Sequence, residues 1–492
     1  MTLNKALNIS LSGLNANQAA LNVVSHNIAN MNTEGYVRKR VNFAEVVMPT
    51  KDKSVMGQIA SLSGVKVASI TTASNDYLNN YYRTQNSIYE GLISDAETAA
   101  QLADLMDELK GTGLGDSLTE FFNAANALNQ NPTDYSLRIN YAEKAKAVAN
   151  KFNSMSVNVN NLRESKVGNG ASVESAEASQ IGTDVTKLNS CIQQLLDVNK
   201  QISNRPDDVS LHSQRDQILS EISSIANVTT TINSTGTANV SLGGLDLITN
   251  CEIQNTLSVT ASGSVLATDT KNNVHDLTDK ITGGTLGGTI GGLSAIDRAI
   301  GAIDTLAGAF ADAMNGIQRY VDGDTKACSY DRANDVLVPS TVDMFSSKDG
   351  NPINASNITI NADLYNNPDL IAAARVDTSV TGWEKSVGNG DNALEFYTIQ
   401  NEKLGALGHL TINDYLISLG TKFGLEAAEK ANAADVQGDI VDGIQNQILS
   451  ETGVNLDEEL TNMIIYQQAY NASARVFSAC VEIYDTLVAL GT

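Results

Sequence analysis

Proline is scarce in this chain, 6 of 492 residues, and aromatics make up only 5 %, with a single tryptophan, Trp383. Few prolines mean few forced breaks, and few aromatics mean packing by Ala, Leu, Ile and Val, a composition that favours a helix-rich globular protein. The four cysteines, Cys191, Cys251, Cys328 and Cys480, lie far apart with no CxxC or CxxxC spacing. That excludes a zinc ribbon and a small disulfide framework, and the thiols are read as free. The formal net charge is -24, with acidic residues spread along the whole chain. Attraction to phosphate backbones or anionic lipid heads therefore has no source, so neither nucleic acid nor a membrane is expected as a partner. No apolar run approaches about 18 residues, and Asn4, Lys5, Asn8 and Ser10 interrupt the first twenty. Neither a membrane span nor an ordinary signal peptide is expected. Such a chain belongs in the cytoplasm unless a machine that reads no cleavable signal exports it.

Organised chemistry is missing as well. No GxSxG or SxxK brings a nucleophile to a base, and His26, His212, His275 and His409 stand alone with no HExxH, which suggests surface or capping roles. Gly283, Gly284, Gly287, Gly288, Gly291 and Gly292 lack the GK[ST] or GxGxxG context of a phosphate-cradling loop, and read as a strand-and-turn return into the next helix. Asp322, Asp324 and Asp331 resemble a calcium loop only until Lys326 and Ala327, which stand where a third oxygen ligand and a glycine are needed. A solvated turn is the better account. The expectation is therefore no catalytic residues, no cofactor, no metal and no enzyme.

What is present is periodicity at both ends. Leu7, Leu11, Leu14, Gln18, Leu21, Ser25 and Ile28 follow alternating steps of four and three residues, the repeat of a coiled-coil seam. Asn30, Asn32, Thr33 and Gly35 tolerate turn geometry, so this helix should end near Ala29 to Met31. Leu456, Leu460, Met463, Gln467, Tyr470, Ala474, Phe477, Val481, Tyr484 and Val488 keep the same alternation over nearly five heptads. Asn455 followed by Asp457, Glu458 and Glu459 supplies a cap and negative charge at the positive end of that helix, which runs almost to Thr492. Apolar stripes usually face their own domain's core. These two are narrow and lie at chain ends, where fraying is normal, so both seams are read as self-assembly surfaces, with Gln18, Ser25 and Gln467 selecting register.

Between the ends, the length favours about three domains. Gln85 to Leu109 carries an amphipathic stripe broken by Gly111, Gly113 and Gly115; Asp116 to Leu128, Asp134 to about Leu162, Val173 to Ser203 and Ser210 to Ile225 continue as an antiparallel bundle. From Asn227 the chain turns rich in Thr, Ser, Gly, Asn and Val with short alternating runs. Helix returns at Leu293 to Arg319, an irregular strand-bearing stretch follows, and helices resume at about Asn392 and Thr411. The expected class is mainly α with β-rich inserted segments: terminal helices forming a coiled coil, a central helical bundle and an outer β-rich part. The expected domains are 1–35, N-terminal coiled-coil segment; 36–226, first part of the bundle; 227–292, β-rich insert; 293–450, return part of the bundle with an irregular stretch at 321–385; and 451–492, C-terminal coiled-coil segment.

Ser12-Gly-Leu-Asn-Ala16 and Ser25-His-Asn-Ile-Ala-Asn-Met-Asn-Thr-Glu-Gly-Tyr36 resemble the N-terminal signature of flagellar rod, hook and hook-associated proteins. Four further segments are similar to the flagellar hook-associated protein 1 family: Leu118-Thr-Glu-Phe-Phe-Asn123 with Asn131-Pro132; Ser213-Gln-Arg-Asp-Gln217; Asn367-Pro-Asp-Leu-Ile-Ala-Ala-Ala374 with Gly390-Asp-Asn-Ala393; and Val454 to Glu459 leading to Gln467 to Ala474. The resemblance spans the chain except the β-rich inserts; four cysteines depart from it, with Cys480 beside the seam, and so does Asn315-Gly-Ile-Gln-Arg-Tyr320. It implies a structural subunit exported by the flagellar type III apparatus to the extracellular hook-filament junction. Its implied partners are further copies of itself, the hook protein, the second junction protein on the filament side, and a cytoplasmic export chaperone on the C-terminal helix. A rod or hook subunit, or an insert with adhesive or hydrolytic activity, are the readings kept beside it.

Overall fold

A computed structural model describes residues 3–33, 36–47, 62–72, 75–107 and 113–490. Gly35, Leu109, Gly111 and Thr492, on which the sequence reading also rests, lie outside the described residues. The first helix, α1 (Leu3–Ala29), stops where the turn-forming residues begin, and Asn30 Nδ2 donates to His26 O at 2.9 Å. Strands β1 (Lys39–Val47) and β2 (Leu62–Thr72) then form an antiparallel ribbon. The sequence reading assigns these residues to the helical bundle. Register shifts at Asn42/Phe43 and Val46/Val47 break the two-residue alternation by which a strand is recognised, which is why the ribbon escapes it.

Helices α2 (Asp76–Asp107), α3 (Leu114–Gln130), α4 (Tyr135–Val167), α5 (Gln180–Asn204), α6 (Val209–Ile225), α7 (Gly284–Gln318), α8 (Asp391–Thr398) and α9 (Ile412–Thr452) follow. The last helix is α10 (Leu456–Leu490), capped as its sequence demands: Asn455 Oδ1 accepts from the amides of Asp457 at 3.0 Å and Glu458 at 3.3 Å. Helices α2 and α9 run antiparallel, tied by Gln437 Nε2 to Gln85 Oε1 at 2.8 Å and Lys430 Nζ to Asp95 Oδ1 at 2.7 Å.

The glycine run resolves differently from the strand-and-turn expectation. Gly287, Gly288, Gly291 and Gly292 all lie inside α7, where it crosses α2. A Cβ on Gly288 would stand 2.1 Å from Gly91 O, and one on Gly292 would stand 2.8 Å from Thr98 Cγ2. Glycine's helix penalty is accepted here because only bare backbone fits between the two helices. Spacing alone does not reveal a helix–helix crossing.

Two main cores result. One joins α3, α4, α8 and the C-terminal half of α7 around Phe121, Tyr141, Phe152, Phe310 and Phe396. Arg138 crosses its edge with Nε on Pro132 O at 2.7 Å and NH1 on Ile371 O at 2.8 Å, and burial lowers its pKa to about 10. It fastens the Asn131-Pro132 turn to the Asn367-to-Ala374 segment; Asn392 Nδ2 holds the same segment through Ala372 O at 2.7 Å.

The second core sets α5 and α6 against the β-rich insert. Sheets of order β3-β4-β5-β6 and β7-β8-β9 turn Val240, Leu242, Leu257, Val265 and Ala267 onto Leu188, Ile192, Leu195 and Leu219; the strands are β3 (Val228–Ile232), β4 (Ala238–Leu242), β5 (Leu245–Thr249), β6 (Glu252–Ile253), β7 (Asn255–Val259), β8 (Val265–Asp269) and β9 (Val274–Asp276). The unit that folds around this core thus includes helices the sequence reading gives to the bundle. Strands of five residues or fewer bury too little by themselves and need a helical layer.

Gly288→Val should lower stability by roughly 1–3 kcal/mol through overpacking. Gly301→Ala, on an exposed stretch of the same helix with nothing within 4 Å of the added carbon, should raise it by about 0.5–1 kcal/mol. Urea unfolding followed by circular dichroism measures both, and equal signs would refute the crossing argument.

Candidate assembly interface

Helices α1 and α10 pack antiparallel, with Gly13 facing Ser473 near mid-length and Asn27 facing Glu459 at the base. The buried strip of α1 consists of small side chains: Ser10, Gly13, Ala16, Ala20, Val23, Val24 and Asn27. A Cβ on Gly13 would stand 2.9 Å from Ser473 Oγ, so the helices meet at close range. The ribbon rests on α1, where Ser12 Oγ accepts from Val65 N at 3.1 Å, and its Phe43 ring meets Tyr466 of α10 edge-on at 6.1 Å.

A polar lock closes the base of the pair. The Asn27 amide uses both ends: Nδ2 donates to Lys39 O at 2.9 Å and Glu459 Oε2 at 3.0 Å, while Oδ1 accepts from Lys39 N at 3.0 Å and the Tyr36 hydroxyl at 2.9 Å. Arg38 Nε donates to Glu459 Oε1 at 2.7 Å, and its NH1 reaches Glu458 Oε2 at 2.9 Å. The Arg38 and Glu459 side chains are 8 % and 2 % exposed, so each charge depends on the other. Arg38 N also donates to Thr452 O at 3.0 Å, joining the lock to the end of α9. The bond from Arg38 holds the exposed Glu458 carboxyl below its usual range, and burial followed by the charge of Glu459 raises the Tyr36 hydroxyl.

Asn27 and Tyr36 belong to the N-terminal signature segment, so the lock accounts for two of its residues physically. The Arg38–Glu459 pairing was not readable beforehand: the sequence reading treats Glu458 and Glu459 as helix-start charge, and 421 residues separate Arg38 from Glu459. An arginine two residues beyond the signature was the only signal.

The predicted seam residues border the buried strip instead of filling it. Leu7, Leu14, Leu21, Ile28, Met463, Tyr470, Ala474, Phe477 and Val481 are half-buried, while Leu11, Leu456, Leu460, Gln467, Tyr484 and Val488 are exposed, as are Gln18 and Ser25. Within one chain the α10 seam therefore contributes part-buried residues along the contact, whereas Gln18, Ser25 and Gln467 stand exposed. Large side chains at heptad spacing draw the sequence reading, yet the closest approach is made by small ones. At the open end, Leu3, Asn4, Tyr484, Leu487 and Val488 line an unfilled groove of about 320 Å³.

The remaining candidates can be placed briefly. All four cysteines are free; Cys191, Cys328 and Cys480 are buried, and burial pushes the Cys191 and Cys328 thiols up to about 11. His212 is held by Pro206 O at 2.7 Å. Asp322 and Asp324 flank the turn between strands β10 (Val321–Asp322) and β11 (Thr325–Asp331), and Asp331 Oδ1 caps the next turn through Ala333 N at 3.0 Å. Among the described residues no three His, Cys, Asp or Glu side chains gather as a metal site, and no helix is long and apolar enough to cross a membrane.

Three family models match parts of the chain: flagellar hook-associated protein FlgK helical domain over residues 99–323, flagella basal body rod protein over 7–36, and flagellar basal body rod FlgEFG protein C-terminal over 445–490. Flagellar hook-associated protein 1 of Bacillus subtilis is 27 % identical over 96 % of this chain and 96 % of its own length. The protein of that name from Salmonella typhimurium is 24 % identical over 99 % of this chain and all of its own. The flagellar hook junction protein FlgK from Burkholderia pseudomallei has a similar fold, with a TM-score of 0.58 at 15 % identity over 76 % of this chain and 99 % of that one.

Arg38→Ala strands a buried carboxylate and should destabilise the terminal pair by roughly 3–5 kcal/mol, whereas Arg38→Met with Glu459→Met should recover most of the loss. The measurement is protease cleavage of α1 and α10 while the bundle stays resistant; equal cleavage of single and double variants would count against the lock. Because its pKa is depressed, Glu458 contributes fully above the ordinary carboxylate range and loses its contribution as pH falls through the lowered value, a small effect for an exposed group.

Proposed function

The chain belongs to the flagellar hook-associated protein 1 family, and we propose that its paired terminal helices are the means by which it joins hook to filament. It is a structural subunit of the bacterial flagellum at the hook junction. In this reading each subunit arrives with α1 and α10 already locked together, and neighbouring pairs dock through the seam residues left along their flanks. The carrying observation is the apolar surface of α10: Leu456, Leu460, Ile464, Ile465, Val476, Ile483, Tyr484, Leu487 and Val488 are all 39–57 % exposed. A surface of that size on a soluble chain calls for a partner.

Further copies of the chain supply the lateral contacts, the hook protein lies below, and the second junction protein lies on the filament side. Before export through the type III apparatus to the outside of the cell, a cytoplasmic chaperone would cover the same α10 stripe and prevent aggregation. The role is mechanical, and the reading assigns no reaction.

Phe477→Asp with Val481→Asp should abolish incorporation while leaving the bundle folded by circular dichroism. Immunolabelling of isolated hooks is expected to show wild-type subunits at the distal end and none of the variant. Normal filaments grown on the variant would remove the seam from the account.

A further inference from the structure

Three asparagines precede a glycine: Asn169-Gly170, Asn315-Gly316 and Asn389-Gly390, and the first and last sit in the same tetrapeptide, Val-Gly-Asn-Gly. Such a pair carries a reaction of its own. With no Cβ on the second residue, the glycine nitrogen has open access to Cγ of the asparagine side chain. Whether it attacks depends on what holds the two groups, and the three pairs are held differently.

Asn315 is buried within α7 and its amide is fully used: Nδ2 donates to Phe345 O at 2.9 Å, and Oδ1 accepts from Met344 N and Phe345 N, both at 2.8 Å. Gly316 lies in the same helix, where backbone amides donate to carbonyls four residues back. Asn389 is held as firmly. Its Oδ1 accepts from Arg375 N at 3.0 Å and Asp391 N at 3.1 Å, and its Nδ2 donates to the Asp391 carboxylate at 2.8 Å. Gly390 is buried, so close to Asn129 that a Cβ would stand 2.3 Å from Asn129 O.

Asn169 and Gly170 are both exposed, in the connection between α4 and α5. Ala171 N donates to Asn169 Oδ1 at 2.9 Å, which folds the side chain back over the Gly170 peptide. Asn169 Nδ2 and Gly170 N make no hydrogen bond among the described residues, and a Cβ on Gly170 would meet nothing within 4 Å. The parts of the reaction are thus together: an unengaged backbone nitrogen, a side-chain amide open to water, and an N–H aimed at the oxygen on which negative charge develops.

We propose that Asn169 is a self-modification site that loses its amide without an enzyme. Gly170 N gives its proton to hydroxide and bonds to Asn169 Cγ. The Cγ–Nδ2 bond breaks, and the nitrogen leaves as ammonia after taking a proton from water. Water then adds to either carbonyl of the cyclic imide, leaving aspartate from one opening and isoaspartate, with its longer backbone, from the other. Tight packing flanks the site: a Cβ on Gly168 would stand 2.7 Å from Ala176 Cα, and Val167 belongs to the second core. The added backbone length is therefore taken up in residues 169–172, where the chain crosses into the β-rich unit. The reaction needs only this loop and water, so it stands apart from the junction role.

The full-length chain is kept in mildly alkaline buffer for days, natively and in urea, then digested for peptide mass spectrometry. In the folded chain Asn169 should convert at least about tenfold faster than Asn389, whose bond to a carboxylate has to break first, and Asn315 should stay an amide. In urea, where the hydrogen bonds are gone, Asn169 and Asn389 should convert at similar rates. Aspartate and isoaspartate are both expected at position 169, and Asn169→Gln should keep its amide. Equal conversion of Asn169 and Asn389 in the folded chain, or an Asn169 that stays intact there, overturns the proposal. So does a ratio in urea as large as the native one, because the difference would then lie in the neighbouring residues and not in the fold.

Discussion

The buried contact of Arg38 with Glu459, completed by Asn27, is the constraint on which the arrangement of this chain depends. It brings two segments 421 residues apart to within 2.7 Å and does so next to Thr452, where the bundle ends. An ion pair withdrawn from water gains little net stability, because desolvating both charges offsets most of their attraction. Its value is specificity: with Asn27 satisfied on four sides, one axial position of α1 against α10 is far better than its neighbours. A seam of large apolar residues tolerates slippage by a heptad more readily than this lock does.

Once register is set by polar groups and small residues, the large apolar side chains are released for other work. That division explains why the buried strip of α1 is made of Ser, Gly, Ala, Val and one Asn while its leucines and isoleucines stay at the edges. A pair that consumed its leucines internally would have little left to join further subunits. The same economy appears at the α2/α7 crossing, where glycines let one 35-residue helix serve both main cores. Stiffness along α7 couples the β-rich unit to the bundle without a flexible linker.

Much of the architecture was legible beforehand. The ends of α1 and α10 follow from Asn30 and Asn455, residues whose side chains bond locally, so no distant partner is needed to predict them. The sequence reading also has helices resuming at about Asn392 and Thr411, next to the observed starts at Asp391 and Ile412. The ribbon was not legible, because its bulges disturb the alternation, and neither was the helical state of the glycine run, because that depends on Gly91 and Thr98 nearly 200 residues earlier.

The sequence by itself determined the mainly helical class and, through segments spread over its length, the resemblance to flagellar hook-associated proteins. Those features rest on local propensity, periodicity and short motifs, each complete within a few residues. Only the tertiary structure decided which face of each terminal helix is inside, that α5 and α6 join the β-rich unit, and that Arg38 meets Glu459. Each depends on which of several equally apolar or equally charged surfaces comes together, and that choice is made by close approach and by the cost of leaving a buried polar group alone.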